Sequence, residues 1–510
     1  MLHKYLDNRR SLRDRVHGTI CLTEEEIQII DTPLFRRLLG IRQNGLLYLV
    51  FPTATHTRFE HSIGALYCAD LILTNMIYNA MVAFSKPTKA IALPERAKKG
   101  QAIGFNQLKG DELRFIFRTA RIAALVHDLG HGPFSHTFGP FAPHVSSIVE
   151  LINGEEKLRP ISEMMKLLED KNGDSQSADR IQHEYMSCIL FACIWNDLES
   201  GGRVEKDDHL PCDVAAVLLN KPSMCKRTTF REYIPLIRDI VASAPADSDR
   251  MDYLLRDSQS VGVSYGNYDK ARLLKSFLAY KTVDDSGEVI YRLGIKRSGL
   301  RAVENFLQAR FEMRVQIYFH KTSHAVELML SAIAKRTSKL HNDILSFIDL
   351  NGLCDMYIKL SDERFLQVLR GKDPEWELND GAINEIANNV FNRVLWKRIY
   401  EGTRYGDLNV NEIYKNLEES FADYPIMKSD IQPKATKDLH KGAILLERDA
   451  KGIYAKPDHL DWLTESEIIE ALAKQERNIV RIYLSDSDGN KAKKLREAIF
   501  KLSHELAKAN

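Results

Sequence analysis

Apolar residues at helical spacing run through most of this 510-residue chain, and turn signals divide them into segments of about 12 to 20 residues. The helix predicted over residues 115–126 carries on one face Ile116, Ala120, Ala123 and His127. Arginines occupy another face of the same segment, so the helix is amphipathic. A mainly α-helical fold is therefore expected, in which this helix brings a His-Asp pair to its own C-terminal end.

The charge of the chain is almost balanced, because Lys and Arg total 71 and Asp and Glu total 70, for a formal net charge of +1. Hydrophobic residues make up 44% and charged residues 28%, which are globular proportions. These numbers exclude a disordered or collagen-like chain and any global attraction to nucleic acid or anionic lipid. Binding of a polyanion must then be local.

The expected compartment is the cytoplasm. The first residues mix charges into every turn without an apolar signal region, and no stretch approaches the roughly 18 apolar residues that span a bilayer, so no membrane partner is predicted. The seven cysteines are scattered and never form a CxxC pair. This pattern is typical of reduced thiols and supports neither a disulfide framework nor a thiolate zinc site.

The chain is expected to divide into a helical domain with extensions over residues 1–400 and a C-terminal α+β lobe over 401–510. Two stretches, 84–110 and 154–178, look like excursions from the helical core because Pro, Gly, Ser and charges cluster there. The stretch 281–296 carries a turn ahead of VIYRLGI and predicts a small hairpin. The fold class is therefore mainly α, with a hairpin excursion and an α+β lobe.

The densest polar cluster is HDLGHGPFSH, which places His127, Asp128, His131 and His136 around glycines and a proline. Glycine and proline cannot continue the helix, so the segment folds several imidazoles and a carboxylate back over its end. Such a turn suits metal binding and proton transfer. A hydrogen-bonded structural turn is the alternative reading.

A metal needs more ligands than His127 and Asp128 supply, and the candidates are His61 upstream and Asp249 downstream. Taken alone, His61 is more typical of a capping or surface histidine, and the spacing of Asp249, Tyr253 and Asp257 on one helical face is more typical of a solvated stripe. Together, two imidazoles and two carboxylates favour one divalent ion such as Mn, Fe, Zn or Mg, with open positions for water.

The ordered set His61, His127-Asp128 and Asp249 resembles the metal site of the HD-domain phosphohydrolases. Five segments resemble, in order and spacing, the deoxynucleoside triphosphate (dNTP) triphosphohydrolase branch of that family, which includes bacterial dGTP triphosphohydrolases and the eukaryotic SAM-and-HD-domain enzyme. These segments are FPTATHTRFEHSIG, ALVHDLGHGPFSH, QHEY, SDRMDYLLRDS and YFHKT. The resemblance runs from about His17 to Lys321, and no SAM domain precedes it.

The resemblance implies an HD-domain helical core and a reaction in which water attacks the α-phosphorus of a dNTP. The products would be a deoxynucleoside and inorganic triphosphate. Control of dNTP pools is the biological role that the family implies, and limiting phage replication is one use of it. The phosphate partners implied by matching positions, which act with the metal, are Arg58, Arg250, Arg310, His131, His136 and His183. Arg250 stands where relatives usually have lysine.

The same resemblance assigns proton transfer to the histidines. His131 and His183, the latter beside Glu184, would orient the lytic water or relay its proton, and His136 would protonate the leaving 5′-oxygen. Relatives carry an acid three positions beyond the His136 equivalent, whereas this chain has Gly139 there. The identity of the general acid is therefore open.

For the sugar, the resemblance assigns the 3′-hydroxyl and the space beside carbon 2′ to Gln43, Asp257 and Tyr318, with Tyr253 stacked beneath the ring. A site that packs against carbon 2′ rejects ribose by steric conflict. Asn44 and Phe319 depart from the leucine and glutamine of the eukaryotic enzyme, so rejection of ribose is expected but not assured.

Assembly and regulation are also implied by the family, whose members are commonly oligomeric and activated by nucleotides. We expect a homo-oligomer, a tetramer or hexamer, with a dNTP effector. Asp31 matches an effector-site acid, but Leu39 replaces the arginine of that site. A guanine-nucleotide switch of the eukaryotic kind is therefore not expected.

Two other functions compete with dNTP hydrolysis. One is an HD phosphohydrolase acting on another nucleotide, and Arg58, Arg250 and His183 argue against it because they add phosphate partners beyond the metal set. The other is a nucleotide-sensing or nucleic-acid-binding module with little turnover. Its support is limited to three basic segments, at Lys98–Lys99, Lys226–Arg231 and Lys491–Arg496, which are usually solvated faces.

Overall fold

The computed structural model describes most of the chain. The described residues are 10–83, 101–102, 105–153, 180–243, 245–336, 345, 347, 349–403, 410–421, 423–431, 436, 439, 443–448, 454–456, 462–475 and 479–509. The expected excursion over 154–178 lies outside them, as does most of the one over 84–110.

Helices dominate the described residues, which confirms the mainly α class. The helices of the N-terminal part are α1 (Glu24–Ile30), α2 (Pro33–Arg36), α3 (Arg58–Ala83), α4 (Gly110–Val126), α5 (Val145–Asn153), α6 (His183–Ser200), α7 (Leu210–Leu218), α8 (Ile234–Ala242), α9 (Ser248–Val261) and α10 (Lys270–Leu274). The later helices are α11 (Leu300–Met313), α12 (Lys321–Ala334), α13 (Leu350–Lys359), α14 (Asp362–Leu369), α15 (Gly381–Phe391), α16 (Val410–Ser420), α17 (Trp462–Glu465), α18 (Glu467–Gln475) and α19 (Gly489–Ala509).

The core forms where α3 packs against α4 and α9. Ile116, Ala120 and Ala123 of α4 are fully buried, as the sequence periodicity predicts. Helix α9 begins at the N-cap Asp247, whose side chain accepts from the backbone N–H of Arg250, and it ends at Gly262, which adopts φ 80°. These three helices carry the metal-ligand candidates.

Helix α3 is long and apolar enough to cross a membrane by length and composition alone. This finding corrects the expectation that no stretch approaches that length. Half of its most apolar window is buried within the protein, and both Arg58 and His61 on its first turns are buried. Core helices of globular proteins pass the same test, and α3 is the central helix of this core.

The strands form three sheets. They are β1 (Arg10–Asp14), β2 (Gly18–Leu22), β3 (Gln101–Ala102), β4 (Phe277–Val283), β5 (Val289–Lys296), β6 (Lys397–Thr403), β7 (Ile426–Ile431), β8 (Ile444–Arg448), β9 (Tyr454–Ala455) and β10 (Ile479–Leu484). The predicted hairpin is β4–β5, and it belongs to a closed barrel of order β3-β4-β5-β8-β9. A second sheet pairs β1 with β2, and a third has the order β6-β10-β7.

The C-terminal part has the α+β character that its sequence predicts, because α16 and α19 pack with the β6-β10-β7 sheet around a hydrophobic cluster of its own. Strand β6 itself runs across residue 400, and β8 pairs in parallel with β5 of the core. The division of the chain after residue 400 stays a prediction.

Candidate active site

Three of the expected metal ligands meet at the junction of α3, α4 and α9. The Nε2 atom of His61 lies 3.3 Å from Nε2 of His127 and 3.2 Å from Oδ1 of Asp249. The distance from His127 Nε2 to the same Asp249 oxygen is 3.6 Å. All three donor atoms lie within 4.8 Å of one another, so this group could hold a metal ion.

Asp128, the fourth expected ligand, lies against this group and is shared with other partners. Its Oδ2 is 3.4 Å from His61 Nε2, and its Oδ1 is 3.4 Å from His127 Nε2. The guanidinium of Arg58 forms an ion pair with Oδ2, and Nε2 of His131 lies 3.3 Å from Oδ1. Asp128 therefore connects the ligand group to a phosphate-binding candidate and to the second histidine cluster.

Both imidazoles of the ligand group are oriented through their other nitrogen. Nδ1 of His61 lies 2.7 Å from Oδ2 of Asp252, and Nδ1 of His127 donates to the carbonyl of Ala124 at 2.8 Å. These bonds place the proton on Nδ1 in each ring. The lone pair of Nε2 is then available to a metal ion. A ligand set of this kind fits a divalent cation.

The carboxylates around the ligand group favour a cation there. Burial by itself lowers the pKa of His61, but Asp128, Asp249 and Asp252 raise it well above its ordinary value. Burial likewise opposes ionisation of Asp249, yet His127 and His61 hold the pKa of its carboxyl below its usual range. A divalent cation bound here would neutralise the excess negative charge of these carboxylates.

A second cluster consists of the rings of His131, His136 and His183. The His131 and His183 rings stack with centroids 3.8 Å apart, and the His136 ring stands at 87° to that of His131 with centroids 4.8 Å apart. Burial, Arg58 and His183 lower the pKa of His131. The loss of hydration inside the cavity and the charge of Arg58 lower the pKa of His136. Neutral imidazoles can accept a proton and pass it on.

Glu184 lies on the outer side of this cluster, with Oε2 at 3.4 Å from Nδ1 of His183. His131, His183 and Glu184 open onto a cavity of about 630 Å³, while His136 lines both this cavity and a neighbouring one. Of the expected proton-transfer residues, His136 is therefore the one shared by the two cavities.

The neighbouring cavity measures about 830 Å³ and collects the expected substrate residues. Of the residues predicted from sequence, its lining includes Gln43, Arg58, His136, Asp249, Arg250, Tyr253, Asp257, Arg310 and Tyr318. Asn44 and Phe319, the two departures noted above, line it as well. The structure brings these positions together, and their individual roles stay predictions.

One end of this cavity is cationic. Arg58 contacts Asp128 and Ser135, and Arg250 forms an ion pair with Asp247 at the N-cap of α9. Burial and the nearby Arg250 lower the pKa of Arg310 to about 10. Mutual repulsion among guanidinium groups of this kind is relieved by a bound polyanion.

Another part of the cavity holds a tyrosine-carboxylate pair. The Tyr318 hydroxyl donates to Oδ2 of Asp257 at 2.7 Å, and the ring of Tyr253 stands at 73° to that of Tyr318 with centroids 6.1 Å apart. The side-chain oxygen of Gln43 is buried and has no hydrogen-bond partner within the part of the chain that the structure describes. This oxygen can accept a hydrogen bond from a ligand hydroxyl.

Sequence reasoning missed several residues of the site. Asp252 orients His61, and His56 holds the other oxygen of Asp257 with Nε2 at 2.6 Å. Arg314 also lines the larger cavity, one turn from Arg310 and on a π-helical turn that ends at Tyr318. The i, i+3 spacing of Asp249 and Asp252 was the available signal for the first of these.

Comparisons with known proteins agree with this architecture. Residues 112–198 match the family model described as HD domain, and residues 269–423 match the model described as HD associated region. A hypothetical protein from Aquifex aeolicus has a similar fold, with a TM-score of 0.60 at 22% identity over 96% of this chain and 99% of that one.

Curated relatives agree as well. The deoxynucleoside triphosphate triphosphohydrolase SAMHD1 of Homo sapiens is 26% identical over 95% of this chain and 72% of its own. The uncharacterized protein YwfO of Bacillus subtilis is 25% identical over 80% and 74%. The uncharacterized protein MJ1154 of Methanocaldococcus jannaschii is 26% identical over 70% of this chain, which spans 56% of that protein.

These matches support the class of HD-domain phosphohydrolases. Residues 112–198 form an HD domain, and the resemblance of the chain to dNTP triphosphohydrolases is confirmed.

Proposed function

We propose that this protein is a metal-dependent dNTP triphosphohydrolase, which cleaves a dNTP to a deoxynucleoside and inorganic triphosphate. The observation that carries the proposal is the larger cavity, whose lining combines Asp249 of the metal group, the guanidinium groups of Arg58, Arg250 and Arg310, and the Tyr318-Asp257 pair. A triphosphate, a metal and a sugar thus have adjacent partners in one space.

His61, His127 and Asp249, with Asp128 beside them, would hold one divalent ion of the Mn, Fe, Zn or Mg class. Such an ion would supply charge neutralisation at the α-phosphate and would make the attacking water more acidic. Arg58, Arg250 and Arg310 bind the remaining phosphate oxygens through charge-assisted hydrogen bonds. Cleavage between the α-phosphorus and the 5′-oxygen releases the triphosphate in one piece.

Proton transfer falls to the second histidine cluster. His131 and His183 accept the proton of the attacking water and pass it toward Glu184 at the smaller cavity, which their stacked rings and the 3.4 Å His183–Glu184 distance support. His136, which lines both cavities, faces the leaving 5′-oxygen. The negative charge of a bound triphosphate raises the pKa of His136 and so favours its acidic form.

Deoxyribose selectivity is assigned to Tyr318, Gln43 and Asp257. The Tyr318 ring is held by its hydroxyl bond to Asp257, which in turn is fixed by His56. Because these bonds hold the Tyr318 ring in place, the ring has little freedom to make room for a 2′-hydroxyl. The biological use we propose is control of dNTP pools, including limitation of phage replication.

A dNTP effector and a tetrameric or hexameric assembly complete the proposal. The support for the effector is a cavity of about 780 Å³ between the helical core and the C-terminal lobe, with basic lining residues Lys321, Arg393, Lys397, Arg398 and Arg496. The assembly rests on the family resemblance alone. The Tyr483 hydroxyl donates to the carbonyl of Lys321 at 2.8 Å, three residues beyond Tyr318. An anion there would act on the segment that carries the sugar-contacting tyrosine.

The test is to incubate the protein with each dNTP and each NTP, with Mn or Mg, and to separate triphosphate from pyrophosphate and orthophosphate. Deoxynucleoside and triphosphate in equal amounts are expected. Initial release of pyrophosphate or orthophosphate would assign the scissile bond elsewhere and favour another HD phosphohydrolase. Salt-dependent nucleic-acid binding without loss of any dNTP would favour the binding module.

A further inference from the structure

Asp362 is a buried carboxylate that comes from outside the HD domain and touches the candidate active site. It is the first residue of α14, within the HD associated region, and only 1% of it is exposed. Its Oδ1 accepts from the backbone N–H of Phe134 at 2.7 Å, and its Oδ2 accepts from the backbone N–H of Arg42 at 2.9 Å. One side chain therefore joins two separate segments of the core.

Both of those segments continue directly into the lining of the larger cavity. Arg42 precedes Gln43, and Phe134 precedes Ser135 and His136. The Ser135 hydroxyl donates to the carbonyl of Gln43 at 2.9 Å. Asp362 thus closes a short ring of contacts that contains the sugar-contacting candidate Gln43 and ends at Ser135, directly before the general-acid candidate His136.

The Phe134 segment has a backbone that needs external support. Phe134 and Ser135 have φ angles of 61° and 63°, in the left-handed region that non-glycine residues rarely adopt. Such a conformation is strained and persists only where its surroundings fix it. The bond from the Phe134 N–H to Asp362 is one such fixing contact.

Close packing around the two segments leaves little room for adjustment. A Cβ at Gly45 would lie 2.8 Å from the carbonyl oxygen of Phe134, and a Cβ at Gly40 would lie 2.8 Å from Cβ of Ser361. The Arg42 side chain also pairs with Glu363 at 2.6 Å. The start of α14 is therefore seated tightly on the segment that leads to Gln43.

We propose that Asp362 is a positioning residue, which sets the separation between Gln43 and His136 and so aligns the substrate for proton transfer to its leaving oxygen. This inference rests on the proposed function. Misplacing a catalytic group by about 1 Å can cost roughly 100-fold in rate. The HD associated region then acts on the reaction indirectly, through one carboxylate that positions Gln43 and His136.

The test compares Asp362→Asn with a matched control, Asp239→Asn. Asp239 is also a buried carboxylate, which accepts from the backbone N–H of Leu293 at 3.1 Å and pairs with Arg292 on the hairpin. An asparagine at 362 can accept one backbone N–H but presents a donor to the other, so the two segments separate. Asparagine at 239 weakens a structural contact made by a residue that lines neither the larger nor the smaller cavity.

Four quantities are measured for both variants: kcat and KM for a dNTP, metal content, melting temperature and hydrogen exchange of peptides covering residues 40–46 and 131–138. We expect Asp362→Asn to lower kcat at least tenfold at unchanged metal content, with faster exchange in both peptides. Asp239→Asn should lower the melting temperature similarly while keeping kcat within about twofold.

The proposal is overturned if Asp362→Asn keeps its kcat, or if both variants lose activity in step with their melting temperatures. Unchanged exchange in both peptides overturns it as well, whatever the activity. Failure of the proposed function gives a different result, because the unmodified protein would then release no triphosphate, while the exchange comparison would still decide whether Asp362 holds the two segments.

Discussion

Nδ1 of His61 lies 2.7 Å from Oδ2 of Asp252, so a buried carboxylate fixes the ring of one metal-ligand candidate. Arg256 holds both oxygens of Asp252 at 2.9 Å, and Nε2 of His17 lies 2.7 Å from Oδ1. The rigid partners leave Asp252 no freedom to rotate away. The Nε2 atom of His61 is thereby directed at His127 and Asp249 rather than at its own helix.

We expect Asp252→Asn to weaken metal binding by about 10- to 100-fold, the usual effect of removing a carboxylate behind a histidine ligand. An asparagine keeps the volume but offers a donor where Arg256 and His61 both require an acceptor. Metal content after competition with a graded chelator measures the change. Equal retention of metal by the variant and the unmodified protein would show that His61 needs no such support.

The His127-Asp128 pair could be found from the sequence because its signal is local, whereas His61 and Asp249 were identified by their order in the family resemblance. His127 and Asp128 end a helix with clear periodicity, and Asp249 follows an N-cap in the turn that starts the next ligand helix. The contacts of His17 with Asp252 and of Phe134 with Asp362 join residues 235 and 228 positions apart. No periodicity reports such pairs, because they depend on how the helices pack.

The pairing of strands in the barrel also depends on segments that are far apart in the sequence. The β4–β5 hairpin was predictable from its turn and its alternating residues, but its neighbours β3, β8 and β9 come from distant parts of the chain. The parallel pairing of β5 with β8 follows from tertiary packing, which strand propensity does not encode. The sequence therefore predicts the hairpin but not the barrel to which it belongs.

Substitutions of Tyr318 separate the roles of its ring and its hydroxyl. Tyr318→Ala should admit ribonucleotides, because it removes the ring that we place beside carbon 2′. Tyr318→Phe keeps the ring and removes the donor to Asp257, so it should lower dNTP turnover by roughly tenfold, from a cost of about 1–3 kcal/mol, without admitting ribose. Rates with paired dNTPs and NTPs measure both. An unchanged ratio in the alanine variant would remove Tyr318 from sugar selection.

Arg58→Ala should lower kcat/KM by at least about tenfold, since loss of a charge-assisted phosphate contact costs about 1.5–3 kcal/mol. The same change removes the ion pair of Asp128. Metal content must therefore be measured with the kinetics, and Arg10→Ala, whose guanidinium pairs with Glu24 on the surface, serves as the control. Activity of Arg58→Ala equal to that of the control would contradict the assignment.

Asp362 also predicts a pH dependence of stability. Burial raises the pKa of its carboxyl from 3.8 to about 6, against the N–H groups of Phe134 and Arg42 and the charge of Arg42, while Glu363 raises it further. The folded state therefore binds this proton more tightly than the unfolded chain. Ionisation of Asp362 therefore destabilises the folded state. This penalty is absent below about pH 4, reaches its full size above about pH 6 and is at most about 3 kcal/mol.

The measurement is the free energy of unfolding in urea for the unmodified protein and Asp362→Asn between pH 4 and pH 7. Because asparagine does not titrate, the difference between the two isolates residue 362. The unmodified protein should lose stability relative to the variant as the pH rises. A constant difference would mean that this carboxyl titrates alike in the folded and unfolded states.

Gly139 offers a gain-of-function test of the general acid. It lies three residues after His136 in the 3₁₀ segment Ser135–Phe141, and side chains at that spacing eclipse one another. A Cβ at Gly139 would meet no heavy atom within 4 Å, so there is open space at the root of a new side chain. A carboxylate there would raise the pKa of His136 and increase its protonated fraction at neutral pH.

We therefore expect Gly139→Asp to increase kcat and to move the alkaline limb of the pH–rate profile to higher pH. Gly139→Asn, which has the same size but no charge, should do neither. If both variants leave the profile where it is in the unmodified protein, His136 is not the group that protonates the leaving oxygen.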